Sequence, residues 1–263
     1  MKRIVTILLG ACLAHVAHAG VYVETVSNNL KTNSSRLAQK IYVQSGSGRF
    51  EDDEGRASII KGDTIYVLDP ADKSYVVLDK ATMEKLGKQV GAAMEQMKEQ
   101  LAKMPPEQRA QIEQMMGIQS SGAGAGGGWT MDAVDTGKSD KVEGRACKVW
   151  DIKLNGQPDH QICVVPYAAL PGNEDMHSMF EKFAGIFEDM AKNLPQLSGS
   201  MNTQMSALRK VNGFPMRTRS YENGRLAPEE QVVKVWREQA IPASMFEVPA
   251  GFKQKQMATL PGQ

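Results

Sequence analysis

Cys147 and Cys163 bracket the segment KVWDIKLNGQPDHQI, whose midpoint is Asn155, next to Gly156. An Asn-Gly pair between apolar alternations is a strong hairpin signal, because both residues tolerate the positive φ that a tight turn demands. Folding the segment about that turn brings Cys147 opposite Cys163, on the face away from Trp150, Ile152, Leu154, Ile162 and Val164. A disulfide across the two strands would contribute about 3 kcal/mol for a loop of this size. The chain has no CxxC, and no helix start activates either thiol, so the pair reads as a staple rather than a redox centre.

A disulfide implies an oxidising compartment, and the N-terminus agrees. Lys2 and Arg3 form a basic start, Ile4–Leu9 open an apolar stretch that weakens toward Val16, and Ala17-His18-Ala19 offers a small-x-small cleavage pattern. Residues 1–19 therefore read as a signal peptide cleaved between Ala19 and Gly20, leaving a periplasmic or secreted protein. The alternative is a lipobox, Leu9-Gly10-Ala11-Cys12, which would anchor the chain through a lipid on Cys12. The apolar stretch is too short to span a bilayer, and no transmembrane span is expected in the mature chain. With 31 basic and 30 acidic residues there is no charge excess of the kind that draws nucleic acid. An apolar content of 41% is too high for disorder.

Alternating runs at 21–26, 40–43, 57–60, 64–69 and 74–79, separated by turn clusters that include Ser45 to Gly48, predict a β-meander. The last two runs are apolar on both faces, so both sides of that sheet need cover. At Lys80 the period changes. Met83, Leu86, Val90, Met94, Met97, Leu101 and Met104 draw one stripe along a helix, and Pro105-Pro106 stops it and opens another bearing Ile112, Met115 and Met116. The Gly-rich tract 117–128 breaks regular structure. Strands resume at Trp129 and run to Val165. A helix with Met176, Met179, Phe180, Phe183, Phe187, Met190 and Leu194 on one side follows, and burying those side chains is worth ~10–20 kcal/mol before entropy. The segment 200–210 is open between helix and loop. A last hairpin turns at Asn223-Gly224 and precedes FEVPAGF (246–252). The expectation is one domain, 20–263, mainly β with helices (α+β), with helical insertions at about 80–118 and 172–195.

No catalytic constellation emerges, and the chain reads as a non-enzyme with no cofactor. Gly122-x-Gly124-x-x-Gly127 lacks the strand before and helix after that a dinucleotide site needs, and Gly137-Lys138-Ser139 lacks the first P-loop glycine, since Asp132 stands there. His160 and His177 have no nucleophile elbow nearby in sequence, and neither HExxH nor free cysteine pairs offer a zinc site. Acidic neighbours such as Asp52-Asp53 and Glu229-Glu230 do not converge as an acid/base pair.

Methionine is the unusual component, 16 in all. A Met stripe packs ordinary cores, but unbranched thioethers also make an adaptable wall for acyl chains. A third reading is soft-metal binding of Cu(I) by Met94/Met97, Met176/Met179 or Met201/Met205.

The segments YVLDPADKSYVVLD (66–79), MPPEQRAQIEQMM (104–116), VEGRACKVWDIKLNGQPDHQICVV (142–165) and GFPMRTRSYENG (213–224), with FEVPAGF as a closing strand, resemble the lipoprotein-carrier (LolA/LolB-like) superfamily. Within it they are most similar to a group of secreted bacterial proteins defined as a domain of unknown function. The resemblance implies a half-open antiparallel β-barrel lidded by amphipathic helices and enclosing an apolar cavity. The expected function is binding of a lipid or other hydrophobic ligand, as carrier or sensor. The alternatives are a self-filled core serving an envelope protein partner, and Cu(I) buffering. The candidate cavity residues are Met94, Met97, Leu101, Met115, Met116, Met176, Met179, Phe180, Phe183, Phe187 and Met190.

Overall fold

Ile65, Val67, Val76 and Leu78 alternate with Tyr66, Leu68, Tyr75 and Val77, so two neighbouring strands carry apolar side chains on both faces. That pattern forces the chain to build cover on each side of the sheet, and its architecture follows from how it does so. The computed structural model describes residues 19–105, 108, 129–193 and 195–256. In it the strands β1 (Gly20–Asn29), β2 (Ser34–Gln44), β3 (Ser47–Asp52), β4 (Ala57–Lys61), β5 (Thr64–Asp69) and β6 (Ser74–Leu78) form a meander. Helix α1 (Lys80–Ala102) follows, then β7 (Met131–Val142), β8 (Arg145–Leu154) and β9 (Gln157–Pro166). Helices α2 (Asn173–Asn193) and α3 (Pro195–Val211) precede β10 (Gly213–Glu222), β11 (Arg225–Gln239) and the short β12 (Lys253–Gln254).

All these strands form one open sheet in the order β12-β6-β5-β4-β3-β2-β1-β11-β10-β9-β8-β7. Strand β1 joins the two meanders by pairing with β2 on one side and β11 on the other, both antiparallel. Among the described strands only β12 runs parallel to its neighbour. Such a mainly antiparallel, unclosed sheet is consistent with a half-barrel.

One face carries the main core. Val21, Val23, Ile41, Val43, Ile60, Cys147, Cys163, Val165 and Trp236 are buried there, together with Met176 and Met179 of α2. The opposite face is covered at its two ends by different segments. Over β2–β6, Ala57, Ile59 and Leu68 pack with Ile241 and Phe246 from the chain after β11. Over β7–β9, Ala133 and Val164 pack with Ala207 and Val211 of α3, flanked by Trp150, Ile152 and Ile162. The ambiguous 200–210 segment is thus helical because a patch of sheet needs its apolar side.

The helix starts follow local chemistry. Asp79 caps α1, its carboxylate accepting from the Thr82 N–H at 2.8 Å. The chain into α2 is fixed by the Trp236 indole N–H, which donates to the Pro171 carbonyl at 2.9 Å.

Three expectations need correction. Ser45 to Gly48 reads in the sequence as a turn only, but β3 begins at Ser47, and Phe50 of β3 packs against the core. The signal is weak because SGRFED presents only one large apolar side chain. FEVPAGF is not a strand: it is a short 3-10 turn ending at Phe246 and a bend around Gly251, with strand pairing starting at Lys253. Pro249 has no N–H to give a ladder, and Gly251 takes φ +86°. The cysteines are bonded, as expected, but are not directly opposite. Leu154 pairs with Gln157 across a two-residue turn, with Asn155 at φ 51° and Gly156 at φ 79°. An even two-residue turn alone would set Cys147 against Val164 and point the sulfurs to opposite faces. A bulge beside Ile152/Lys153 adds one residue to β9, so that Val149 pairs with Cys163. Cys147 is then the diagonal neighbour of Cys163 on the same face, Cα–Cα 5.4 Å, and the bond closes.

Replacing both cysteines by alanine is expected to lower the unfolding free energy by about 3 kcal/mol. Urea denaturation against the oxidised wild type measures this. A loss below about 1 kcal/mol would mean that the turn and bulge alone hold the hairpin.

Candidate functional site

The strand register arranges the α2 side of the sheet in rows. Val21, Val43, Gly48, Ile60, Ile65 and Leu78 are successive cross-strand partners and form one wholly apolar row. The next row is Val23, Ile41, Phe50, Ser58, Val67 and Val76. Beyond it Gln39 pairs with Asp52, and the apolar character ends. Polarity therefore rises in steps along the strand direction.

Over these rows lies a cavity of about 520 Å³. Its sheet side is made by Phe50, Ser58, Ile60, Ile65, Val67, Leu78 and Gln39, with Phe214 of β10 and Tyr167 from the 3-10 turn after β9. Its other side is made by Met176, Met179, Phe180, Phe183 and Ile186 of α2 and by Met83 of α1. The size lies within the ~300–1,000 Å³ usual for small-molecule pockets. Among the described residues no charged side chain lines it.

At one end the wall is pinned. Asp175 accepts from the Ser45 backbone N–H at 2.9 Å, and Lys182 Nζ donates to the Gly46 carbonyl at 3.0 Å, so α2 is tied to the β2–β3 turn. Gly48 lets the wall approach there: a Cβ on it would lie 2.7 Å from Met179 Cε and 3.0 Å from Met179 Sδ. At the other end Val67 is 40% exposed.

Of the residues singled out from the sequence, Met176, Met179, Phe180 and Phe183 face the cavity, with Met176 and Met179 almost fully buried. Met97 is half-buried and Leu101 buried, yet neither lines it. Helix α1 meets the sheet at β6 and otherwise packs mainly on α2, and among its described side chains Met83 of the first turn lines the cavity. Met115 and Met116 lie outside the described residues, as do residues 1–18 and the Gly-rich tract, and so do the side chains of Met94, Phe187 and Met190. Sequence reasoning misses the strand residues of the wall, because in the sequence the meander reads only as core. The signal that finds them is the register, which collects Ile60, Ile65 and Leu78 on one row.

Of the methionine pairs considered for soft metal, the side chains of Met94 and Met201 lie outside the described residues. Met176 and Met179 pack into the sheet core, and Met205 is buried on α3. Asp52 and Asp53 pair with Arg56 and Arg36 at 2.7 and 2.8 Å, while Glu229 and Glu230 accept from Asn29 and Asn28, so neither acidic pair converges. Gly137-Lys138-Ser139 sits at a register shift in β7. His160 bonds Asp159, and His177 is exposed beside the Tyr167 ring.

Burial pushes the Tyr167 hydroxyl up to about 12, with the Glu181 charge adding to the effect. Burial raises Tyr42 and Tyr221 as well. A phenol held neutral by the fold stabilises it fully below about pH 10, the unfolded value, and that contribution is lost as pH rises through about 12. Urea midpoints should therefore fall between about pH 9 and pH 11.5, and Tyr167→Phe should make the fall shallower. A second expectation concerns Gly48. Gly48→Ala should cost about 1–3 kcal/mol in urea unfolding, because Met179 has to leave its place.

The chain is similar over 92% of its length to a structure described as an uncharacterized conserved protein from Thermus thermophilus, at 6% identity and a TM-score of 0.44, covering 92% of that chain. It is also similar to MucB in a complex with MucA(peri), at 12% identity and a TM-score of 0.31, and to the Pseudomonas aeruginosa MucA/MucB complex, at 11% identity and 0.33. Each of these likenesses covers 89% of this chain, which spans 54% and 56% of the respective relatives, about half their length. No curated protein matches. Residues 130–252, which run from just before β7 to just before β12, match the family described as Domain of unknown function (DUF4412).

Proposed function

We propose that this protein is an exported, non-catalytic binder of a lipid or other apolar ligand, acting as carrier or sensor in the periplasm. The observation that carries the reading is the cavity of about 520 Å³, walled by aliphatic and aromatic side chains and, among the described residues, lined by no charge. An apolar space of this kind gains from an apolar occupant in proportion to the surface withdrawn from water, roughly 25 cal/mol per Å². The methionine wall suits it, since thioethers repack around chains of different shape. The signal-like N-terminus and the Cys147–Cys163 bond support export. Among the described residues no helix is long and apolar enough to cross a membrane.

In this reading α1 and α2 act as the lid. Helix α2 is pinned by Asp175 and Lys182, so entry is by displacement of α1 around Met83, next to exposed Val67. Titration with phenylnaphthylamine, a neutral apolar dye, tests the proposal. The wild type should bind it with a saturable fluorescence rise. Phe183→Asp places a charge in the wall and should weaken binding about tenfold or more, a loss of at least ~1.4 kcal/mol. Leu208→Asp, on an exposed position of α3, should leave it unchanged. Equal binding by a folded Phe183→Asp protein, with wild-type circular dichroism, would overturn the proposal.

A further inference from the structure

Resting on the cavity reading, the polarity of the rows says which kind of apolar molecule fits. From the pinned end, the first row, which runs through Gly48, Ile60 and Ile65, offers no hydrogen-bonding side chain. The second introduces Ser58 between Phe50 and Val67. The third holds Thr25 and Gln39, whose other neighbour Asp52 is ion-paired to Arg56 at 2.7 Å. Both Gln39 and Ser58 are half-buried and line the cavity, and among the described residues neither side chain has a hydrogen-bond partner. Neither polar group is sealed from solvent, so each is free to exchange a bound water for the head of a ligand. Together they supply donors and acceptors but no charge.

The cations nearby are engaged elsewhere. Arg56 is held by Asp52 and Glu54, and Lys182 donates to the Gly46 carbonyl at the closed end. A carboxylate or phosphate drawn into the cavity would lose its hydration and gain no counter-charge. An uncharged polar head loses much less and gains the two unpaired groups.

We infer that the cavity takes a neutral single-chain amphiphile, with an alcohol or amide head at Gln39 and Ser58 and its alkyl chain running toward Gly48 and Met179. The head sits at the end where Val67 is exposed, and the chain fills the end where α2 is fixed. Gln39 and Ser58 select the head; the wall binds the tail.

Displacement of phenylnaphthylamine from the mature protein by dodecanol, dodecanoate and dodecylammonium, at about pH 8 where the acid and amine are both charged, tests this. Dodecanol should displace the dye at least about tenfold more effectively than either ion. Lowering the pH below about 4.5 should bring dodecanoate close to dodecanol, because it then enters as the neutral acid. Gln39→Leu combined with Ser58→Ala should weaken dodecanol about tenfold while the dye itself binds as before, which also reports that the wall is folded. Dodecanoate or dodecylammonium displacing as well as dodecanol at about pH 8, or a double variant that binds dodecanol normally, would overturn the inference and leave the apolar cavity standing. A wild type that binds no dye at all would overturn the cavity reading and the inference with it.

Discussion

The seating of α2 on the sheet determines most of what this molecule is. Met179 presses into the place that Gly48 leaves open, Met176 lies buried beside it, and Asp175 and Lys182 tie the helix to the β2–β3 turn. Trp236 holds the approach to the helix from the far side of β1. These contacts close one end of an apolar trough and leave the other end open. Without them the row through Val43, Gly48 and Ile60 would face water, and a half-covered sheet of this size would lose its main core.

Much of the architecture is legible in the sequence because it rests on local rules. Asn155-Gly156 and Asn223-Gly224 mark tight turns, and the change from alternation to a helical stripe at Lys80 is abrupt. What is not legible depends on parity and on partners. A hairpin with a two-residue turn cannot set Cys147 and Cys163 on one face, and the bulge in β9 that corrects this is marked in the residue types only by Pro158 beside it. Strand β3 carries one large apolar residue and is recruited by pairing with β2 and β4. The α3 segment becomes helical against Ala133 and Val164, from strands well before it in the chain.

The candidate site divides in the same way. Met176, Met179, Phe180 and Phe183 share a helical face and are found from spacing alone. Met97 and Leu101 share a similar stripe yet do not line the cavity, which Met83 of the first turn of α1 does. The strand half of the wall needs the register to be seen, since residues on neighbouring strands become one surface only after pairing. That same register sets the order of rows from apolar to polar, which is the feature that turns a generic apolar space into one with a direction.

The central claim is that this cavity holds an apolar molecule. Native mass spectrometry on the protein released gently from the cells that make it tests that most directly. The account predicts a complex heavier than the chain by the mass of one lipid-like molecule, with the extra mass lost on denaturation and the Cys147–Cys163 bond intact. A bare chain, folded and oxidised, from a preparation in which the Phe183→Asp protein looks the same, would contradict it.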